Sequence, residues 1–274
     1  MASTNPITVI LIPGMCTKAN VYEPLVKELE TTHAMHSVQA LELPSADALT
    51  TGADLTPTPL EADTRAIRAA LEHAVTQRNH DVVIVAHSYG GTPALHATRG
   101  LWAGRGRSGA GVQRVLLLSA GMSLGGESVA GVRGAWAAAN PAAGVDDQAG
   151  VRIDVHDGAP FVVPEEALWP AWLNDLAPED QRRWGAASLV PSPLGTVAVP
   201  VPEALAADPK EWKIKYMICA EDDRAMPTAF QEYLVQKTID AGAEVETTKI
   251  KSGHFVQLSH TKEVAAWVAE NSKP

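Results

Sequence analysis

The sequence predicts an α/β fold in which a mostly parallel central sheet is flanked by helices and interrupted by an inserted cap. Three observations carry that expectation. Short β-branched runs alternate with segments of helical periodicity. Several of those runs are apolar without a break, as in strands covered on both faces. The rhythm stops in the middle of the chain and resumes near Lys213.

The first run, Ile7–Ile12 (ITVILI), is stopped by Pro13-Gly14. Val21, Leu25, Val26 and Leu29 then share one helical face, and Asn20 with Glu23 is expected to cap the start of that helix. Val38–Leu43 reads as a second strand, ended by Pro44. After a loop rich in Pro, Thr, Ala and Asp, Leu60, Ile67, Leu71 and Val75 recur at helical spacing. The runs Asp81–Ala86 (DVVIVA), Val112–Ser119 (VQRVLLLS) and Ile214–Ala220 (IKYMICA) have the continuous apolar character of doubly covered strands. Val245–Ile250 is the last strand, before a C-terminal helix.

The middle of the chain reads differently. Glycines crowd positions 100–134, prolines crowd 141–209, and Trp136, Trp169, Trp172 and Trp184 fall in the same region. A disordered linker would not carry so many large aromatics, which supply the buried area that folding needs. Residues 122–204 are therefore read as a cap of short helices and loops, and residues 1–121 and 205–274 as the core.

A formal charge of −10 argues against nucleic acid or an anionic membrane as partner. No run approaches the roughly 18 apolar residues of a membrane span, and Ile7–Ile12 is too short, and lacks the basic start, for a signal peptide. Cys16 and Cys219 are far apart in sequence and read as reduced thiols, which points to the cytoplasm.

The chemistry concentrates at four places. Ala86-His87-Ser88-Tyr89-Gly90-Gly91 follows a buried strand and precedes a helix, the small-x-Ser-x-Gly pattern of a nucleophile elbow. A sharp strand-to-helix turn strains the serine backbone, so the neighbours two positions away, Ala86 and Gly90, must be small. The following helix start aims the Tyr89 N–H at a site where an oxyanion could form. The side chain of His87, inside the elbow, is expected to point away from the reaction. Downstream, Ser252-Gly253-His254-Phe255 puts a histidine after the last strand, where a Ser…acid…His order requires the base. Glu221-Asp222-Asp223, after the preceding strand, offers three carboxylates to hold that imidazole, and the residues alone leave the choice open. Pro13-Gly14-Met15 follows the first strand, where the N–H of Met15 could serve as a second oxyanion donor. The remaining histidines show no paired metal spacing, so neither metal nor organic cofactor is expected.

In this order the four pieces resemble the α/β-hydrolase superfamily. More narrowly they resemble the branch of plant methyl-salicylate esterases, plant hydroxynitrile lyases and related bacterial and fungal esterases. Pro13 to Thr17 stands where that branch carries His-Gly-small-Cys-His, and Ala86 to Gly91 matches its small-His-Ser-x-Gly-Gly elbow. Ile218 to Pro227 resembles its strand followed by Cys/Thr-x-x-Asp-x-x-x-Pro, and Gly253 to Leu258 its Gly-His-x-x-Gln-Leu. Trp172-Leu173-Asn174-Asp175-Leu176 echoes an aromatic-Asn-Asp-Leu segment of these relatives. The resemblance implies Ser88, Asp223 and His254 as triad, with Asp222 as the alternative acid: counting from Pro227 selects Asp223, counting from Cys219 selects Asp222. It also disfavours a lyase, because Phe255 and Gly14 occupy the places of that activity's lysine and threonine.

The expected function is hydrolysis of a small-molecule ester or lactone by a serine hydrolase. Trp136, Trp169, Trp172 and Phe255 are candidate pocket residues, and a homodimer is compatible with the sequence. Two other classes stay open: a biosynthetic enzyme of the same fold that closes a ring, eliminates or cleaves a C–C bond, and a non-catalytic small-ligand receptor.

Overall fold

A computed structural model describes residues 5–35, 37–104, 109–141 and 151–273. Six parallel strands form the central sheet: β1 (Ile7–Ile12), β2 (Val38–Ala40), β3 (Asp81–His87), β4 (Val112–Leu118), β8 (Lys213–Glu221) and β9 (Glu244–Ser252). Their spatial order is β2-β1-β3-β4-β8-β9, and each neighbouring pair is parallel. β3 is buried at every position, as its unbroken apolar run requires.

Alternation along these strands builds two cores. Ile10, Ile12, Ile84, Ala86, Val115 and Leu117 face one side, against Leu60, Ile67 and Leu71 of the helix Pro59–Glu72 and Phe230 and Leu234 of the helix Thr228–Asp240. Val9, Leu11, Val83, Val85, Leu116 and Leu118 face the other. They meet Leu25 and Leu29 of the helix Glu23–Thr32 and Val264, Ala265 and Val268 of the helix Thr261–Asn271. The period of two sends successive side chains to opposite faces, and each fully buried aliphatic contributes roughly 1.5–3 kcal/mol.

Between β4 and β8 the chain leaves the sheet. The helix Val129–Ala139 is capped by Ser128, whose hydroxyl accepts from the Gly131 N–H. β5 (Val151–His156), β6 (Ala159–Pro164) and β7 (Ser192–Pro193) form an antiparallel three-stranded sheet. The β5–β6 hairpin turns at Asp157-Gly158, both at positive φ (49° and 79°). The helix Pro178–Ser188 lies between β6 and β7. The expectation of helices and loops alone thus missed a sheet. Pro160, Pro164 and Pro193 sit inside its strands, and prolines read as breakers unless a strand lies at an edge. Part of the segment 122–204, residues 142–150, lies outside the described residues.

Two local expectations also change. β2 stops at Ala40, although the Leu41 N–H still reaches the Leu11 carbonyl (2.9 Å). Asn20 does not cap the first helix. It lies in a 3-10 turn, Ala19–Tyr22, and its amide donates to the Ala187 carbonyl (3.0 Å), while Pro24 lies in the first turn of the helix itself. Both cysteines are buried and unpaired with each other. Among the described residues no helix is long and apolar enough to cross a membrane.

Because the strands are parallel, their C-terminal ends emerge on one edge: Ile12 beside Ala86, His87 beside Leu118, Leu118 beside Met217, and Glu221 beside Ser252. All the loops singled out from the sequence leave the sheet there.

Candidate active site

β3 runs into the helix Gly91–Ala97 through a single 3-10 turn, and Ser88 at its apex has φ of 52°. That left-handed conformation is costly for a serine, and the surrounding backbone holds it there. The Gly121 N–H donates to the Ser88 carbonyl (2.8 Å). Gly90 lies so close to the loop after β1 that a Cβ would stand 2.3 Å from the Pro13 carbonyl oxygen, so no other residue fits.

His254 Nε2 lies 3.0 Å from Ser88 Oγ, and His254 Nδ1 lies 3.0 Å from Asp223 Oδ2. Both the histidine and the acid are buried. Asp223 Oδ1 accepts from the N–H groups of Ala225 (3.0 Å) and Met226 (2.7 Å). Its Oδ2 also accepts from the Ser119 hydroxyl and from Gln231 Nε2 (3.2 Å). Gln231 in turn bonds the N–H and carbonyl of Cys219 (2.9 Å each) and the Met226 carbonyl (2.6 Å), which ties the strand to the acid loop. The alternative acid does not meet the imidazole. The carbonyl of Asp222 is held by Asn174, and its neighbour Glu221 is exposed and paired with Lys251 (2.9 Å). Three consecutive acids diverge because Glu221 itself is at positive φ (70°) as the strand ends.

Met15 and Tyr89 both line the cavity above Ser88. The loop carrying Met15 is fixed from the excursion: the Cys16 N–H donates to Ser192 Oγ (3.0 Å) and the Cys16 carbonyl accepts from the Val190 N–H (2.9 Å). Burial pushes the Cys16 thiol up to about 12, so it is an inert neutral group.

The cavity measures about 670 Å³, and its wall is largely apolar: Met122, Val129, Val132, Leu168, Trp172, Val197, Met226, Phe230 and Phe255. Of the four aromatics singled out from the sequence, Trp172 and Phe255 line it. Trp136 and Trp169 do not. Trp136 is buried one layer back against Phe230, with ring centroids 5.1 Å apart, while its helix neighbours Val132, Arg133 and Ala137 reach the cavity. Trp169 is taken up by packing, since a Cβ on Gly185 would stand 2.2 Å from its ring. His87 also differs from expectation. It lines the cavity, its ring centroid is 4.6 Å from that of His254, and its Nε2 donates to the His254 carbonyl (2.9 Å). Burial first, and His254 beside it second, hold its pKa well below the usual histidine range, so it is neutral.

Behind the elbow lies a group that sequence patterns did not single out. The Tyr89 hydroxyl donates to Asp63 Oδ2 (2.8 Å), which also accepts from Ser45 Oγ (2.6 Å), while Asp63 Oδ1 accepts from the Ser45 N–H (2.9 Å). Burial, opposed by these hydrogen bonds, raises the Asp63 pKa from 3.8 to about 6. The folded chain thus keeps this proton up to about pH 6, whereas the unfolded chain releases it near 3.8. Stability from this group is greatest below the unfolded value and is lost as pH rises through about 6, by on the order of 2–3 kcal/mol. In urea unfolding, the stability of wild type relative to Asp63→Asn should fall by that amount between pH 4 and 7; a flat difference would contradict it.

A family model described as alpha/beta hydrolase matches residues 9–267 of this chain. A "Probable hydrolase R7" of Phoma sp. is 27% identical over 271 residues, covering 96% of each chain. Among solved structures, a polyneuridine aldehyde esterase superposes with a TM-score of 0.71 at 18% identity, over 97% of this chain and 99% of the other. A pyrethroid hydrolase from Sphingobium faniae JZ-2 gives a TM-score of 0.69 at 19% identity, over 97% of both chains. A point mutant of tomato methylketone synthase I gives 0.68 at 16%, over 99% of this chain and 100% of the other. At these identities the structural likenesses establish the fold.

Proposed function

Since the chain belongs to the alpha/beta hydrolase family, we propose that it is a serine hydrolase that cleaves a small carboxylic ester or lactone through an acyl-enzyme on Ser88. The observation that supports this most is the unbroken line from Asp223 through His254 to Ser88, with 3.0 Å at each step, on the floor of an apolar cavity. Asp223 accepts from Nδ1 and fixes the tautomer that leaves Nε2 free to take a proton. His254 removes the Ser88 proton as Oγ attacks the carbonyl carbon. The N–H groups of Tyr89 and Met15 hold the oxyanion of the tetrahedral intermediate. His254 returns the proton to the leaving alkoxide, and the acyl-enzyme forms. A water then gives its proton to His254 and attacks the acyl carbon. As the acyl–Oγ bond breaks, His254 passes that proton to Ser88 Oγ, and the acid is released with both residues restored.

The largely apolar wall favours an ester with an apolar acyl or alcohol part, while Arg133 and Arg224 also line the cavity. Phe255 puts no cation directly beside His254 for a departing cyanide, which speaks for hydrolysis over lyase chemistry, the cavity's arginines Arg133 and Arg224 being carried elsewhere in the chain. The buried, unpaired cysteines fit a cytoplasmic protein.

Treatment with a fluorophosphonate probe, followed by peptide mapping, tests the reading. The adduct is expected on Ser88, with parallel loss of p-nitrophenyl ester turnover. Labelling elsewhere, or turnover that survives full labelling, would overturn it.

A further inference from the structure

We propose that Asn174 and Asp175 are positioning residues that clamp the loop carrying Asp223 to the loop carrying His254. The proposal rests on the serine-hydrolase reading above. The parallel pairing of β8 and β9 ends at Glu221 beside Ser252, one residue before each loop begins. Past that point no ladder holds the two loops in register, although the acid–imidazole geometry depends on it. The excursion supplies the missing bonds. Asn174 Nδ2 donates to the Asp222 carbonyl (2.9 Å), and Asp175 Oδ2 accepts from the Gly253 N–H (2.7 Å). Two adjacent side chains thus grip the residue immediately before the acid and the residue immediately before the base.

The clamp is itself anchored. Leu173 is buried in the same cluster as Phe255 and Val256, and the Leu173 N–H bonds the Trp169 carbonyl (2.8 Å). Its fit is tight enough to fix the residue type opposite it. A Cβ at position 253 would stand 2.5 Å from Asp175 Oδ1 and 2.8 Å from Asn174 Oδ1, so only glycine lets the carboxylate reach the backbone N–H. Those two Oδ1 atoms are buried and lack a hydrogen-bond donor among the described residues. Asp175 therefore works through an accepted hydrogen bond, and an amide can replace it: the oxygen of Asn at 175 would still accept from the Gly253 N–H.

The test compares Asp175→Ala, Asp175→Asn and Asn174→Ala in steady-state hydrolysis of a p-nitrophenyl ester. Misplacing a reacting group by about 1 Å costs on the order of a hundredfold. Asp175→Ala is expected to lower kcat by about that factor with KM within about twofold, and Asn174→Ala to act the same way by about tenfold. Asp175→Asn is expected to restore kcat to within about threefold of wild type, because the hydrogen bond is kept. A kcat within threefold for Asp175→Ala, a loss shared by KM, or an Asp175→Asn enzyme as slow as the alanine variant would each overturn the clamp. If Asp175→Ala does not fold, Gly253→Ala probes the same contact from the other side. It should show the same kcat loss, and wild-type kcat there would overturn the clamp. The underlying reading is judged separately on the unaltered protein: failure of the fluorophosphonate to label Ser88 there sinks the serine mechanism itself.

Discussion

Ser88→Ala is expected to lower kcat on a p-nitrophenyl ester by about 10⁶-fold, the order found when a triad nucleophile is removed. The hydroxyl is the only group lost, and its hydrogen-bond partner is His254 Nε2. Alanine inherits the same φ of 52°, so the strain is unchanged and the fold should survive with little change in melting temperature. His254→Ala should cost a similar factor, and the double variant scarcely more than either, because proton acceptor and nucleophile act as one unit. Purified Ser88→Ala that keeps more than about one per cent of wild-type turnover would remove this residue from the mechanism.

Asp223→Asn should cost about 10⁴-fold in kcat, and its surroundings explain why. Oδ1 faces two backbone N–H donors, from Ala225 and Met226. The amide oxygen of asparagine must take that side, since an NH₂ there would confront both. The NH₂ is then turned toward Ser119, Gln231 and His254 Nδ1, which all donate to Oδ2 in the wild type. Facing a donor, the imidazole shifts its proton to Nε2 and presents N–H, not a lone pair, to Ser88. Asp222→Asn and Glu221→Gln, at a half-buried and an exposed position that lack hydrogen bonds to the imidazole, should change kcat by less than about tenfold. Steady-state kinetics of the three variants decide the matter. A crippled Asp222→Asn beside a healthy Asp223→Asn would transfer the role by one residue.

The central sheet and both ends of the site were legible because the signals are local. DVVIVA reads as a strand covered on both faces, and a serine with Ala86 and Gly90 two positions to either side at its end has few structural reasons to exist. The acid was harder. Three adjacent carboxylates look alike in sequence, and which one turns inward rests on the backbone where the strand ends, with Glu221 at positive φ, and on the donors that meet Asp223. Ser119 and Gln231 carried no signal, since their partner Asp223 is 104 and 8 residues away and no periodicity encodes such a bond. Trp136 and Trp169 misled because tryptophan marks burial without saying against what. The β5–β7 sheet escaped notice because its prolines mimic loop chemistry, and the direction of His87 because an elbow motif does not state which way the side chain before the serine turns.

The contact of Gly90 with the Pro13 carbonyl, and the bond from Gly121 to the Ser88 carbonyl, have a further consequence for how this protein can change. Both are backbone-to-backbone, so the geometry of Ser88 is set by the sheet and its loops and owes little to the side chains around the cavity. Much of the wall, including Val129, Val132, Leu168, Trp172 and Val197, comes instead from the excursion between β4 and β8. The backbone turn at Ser88 and most of the wall are thus carried by separable parts of one chain, although the excursion also supplies Asn174 and Asp175 to the acid and base loops. Repertoires randomised at those wall positions should retain a working nucleophile while the preferred acyl or alcohol group drifts. The same division gives a lineage of such proteins a route to new substrates without passing through inactive intermediates.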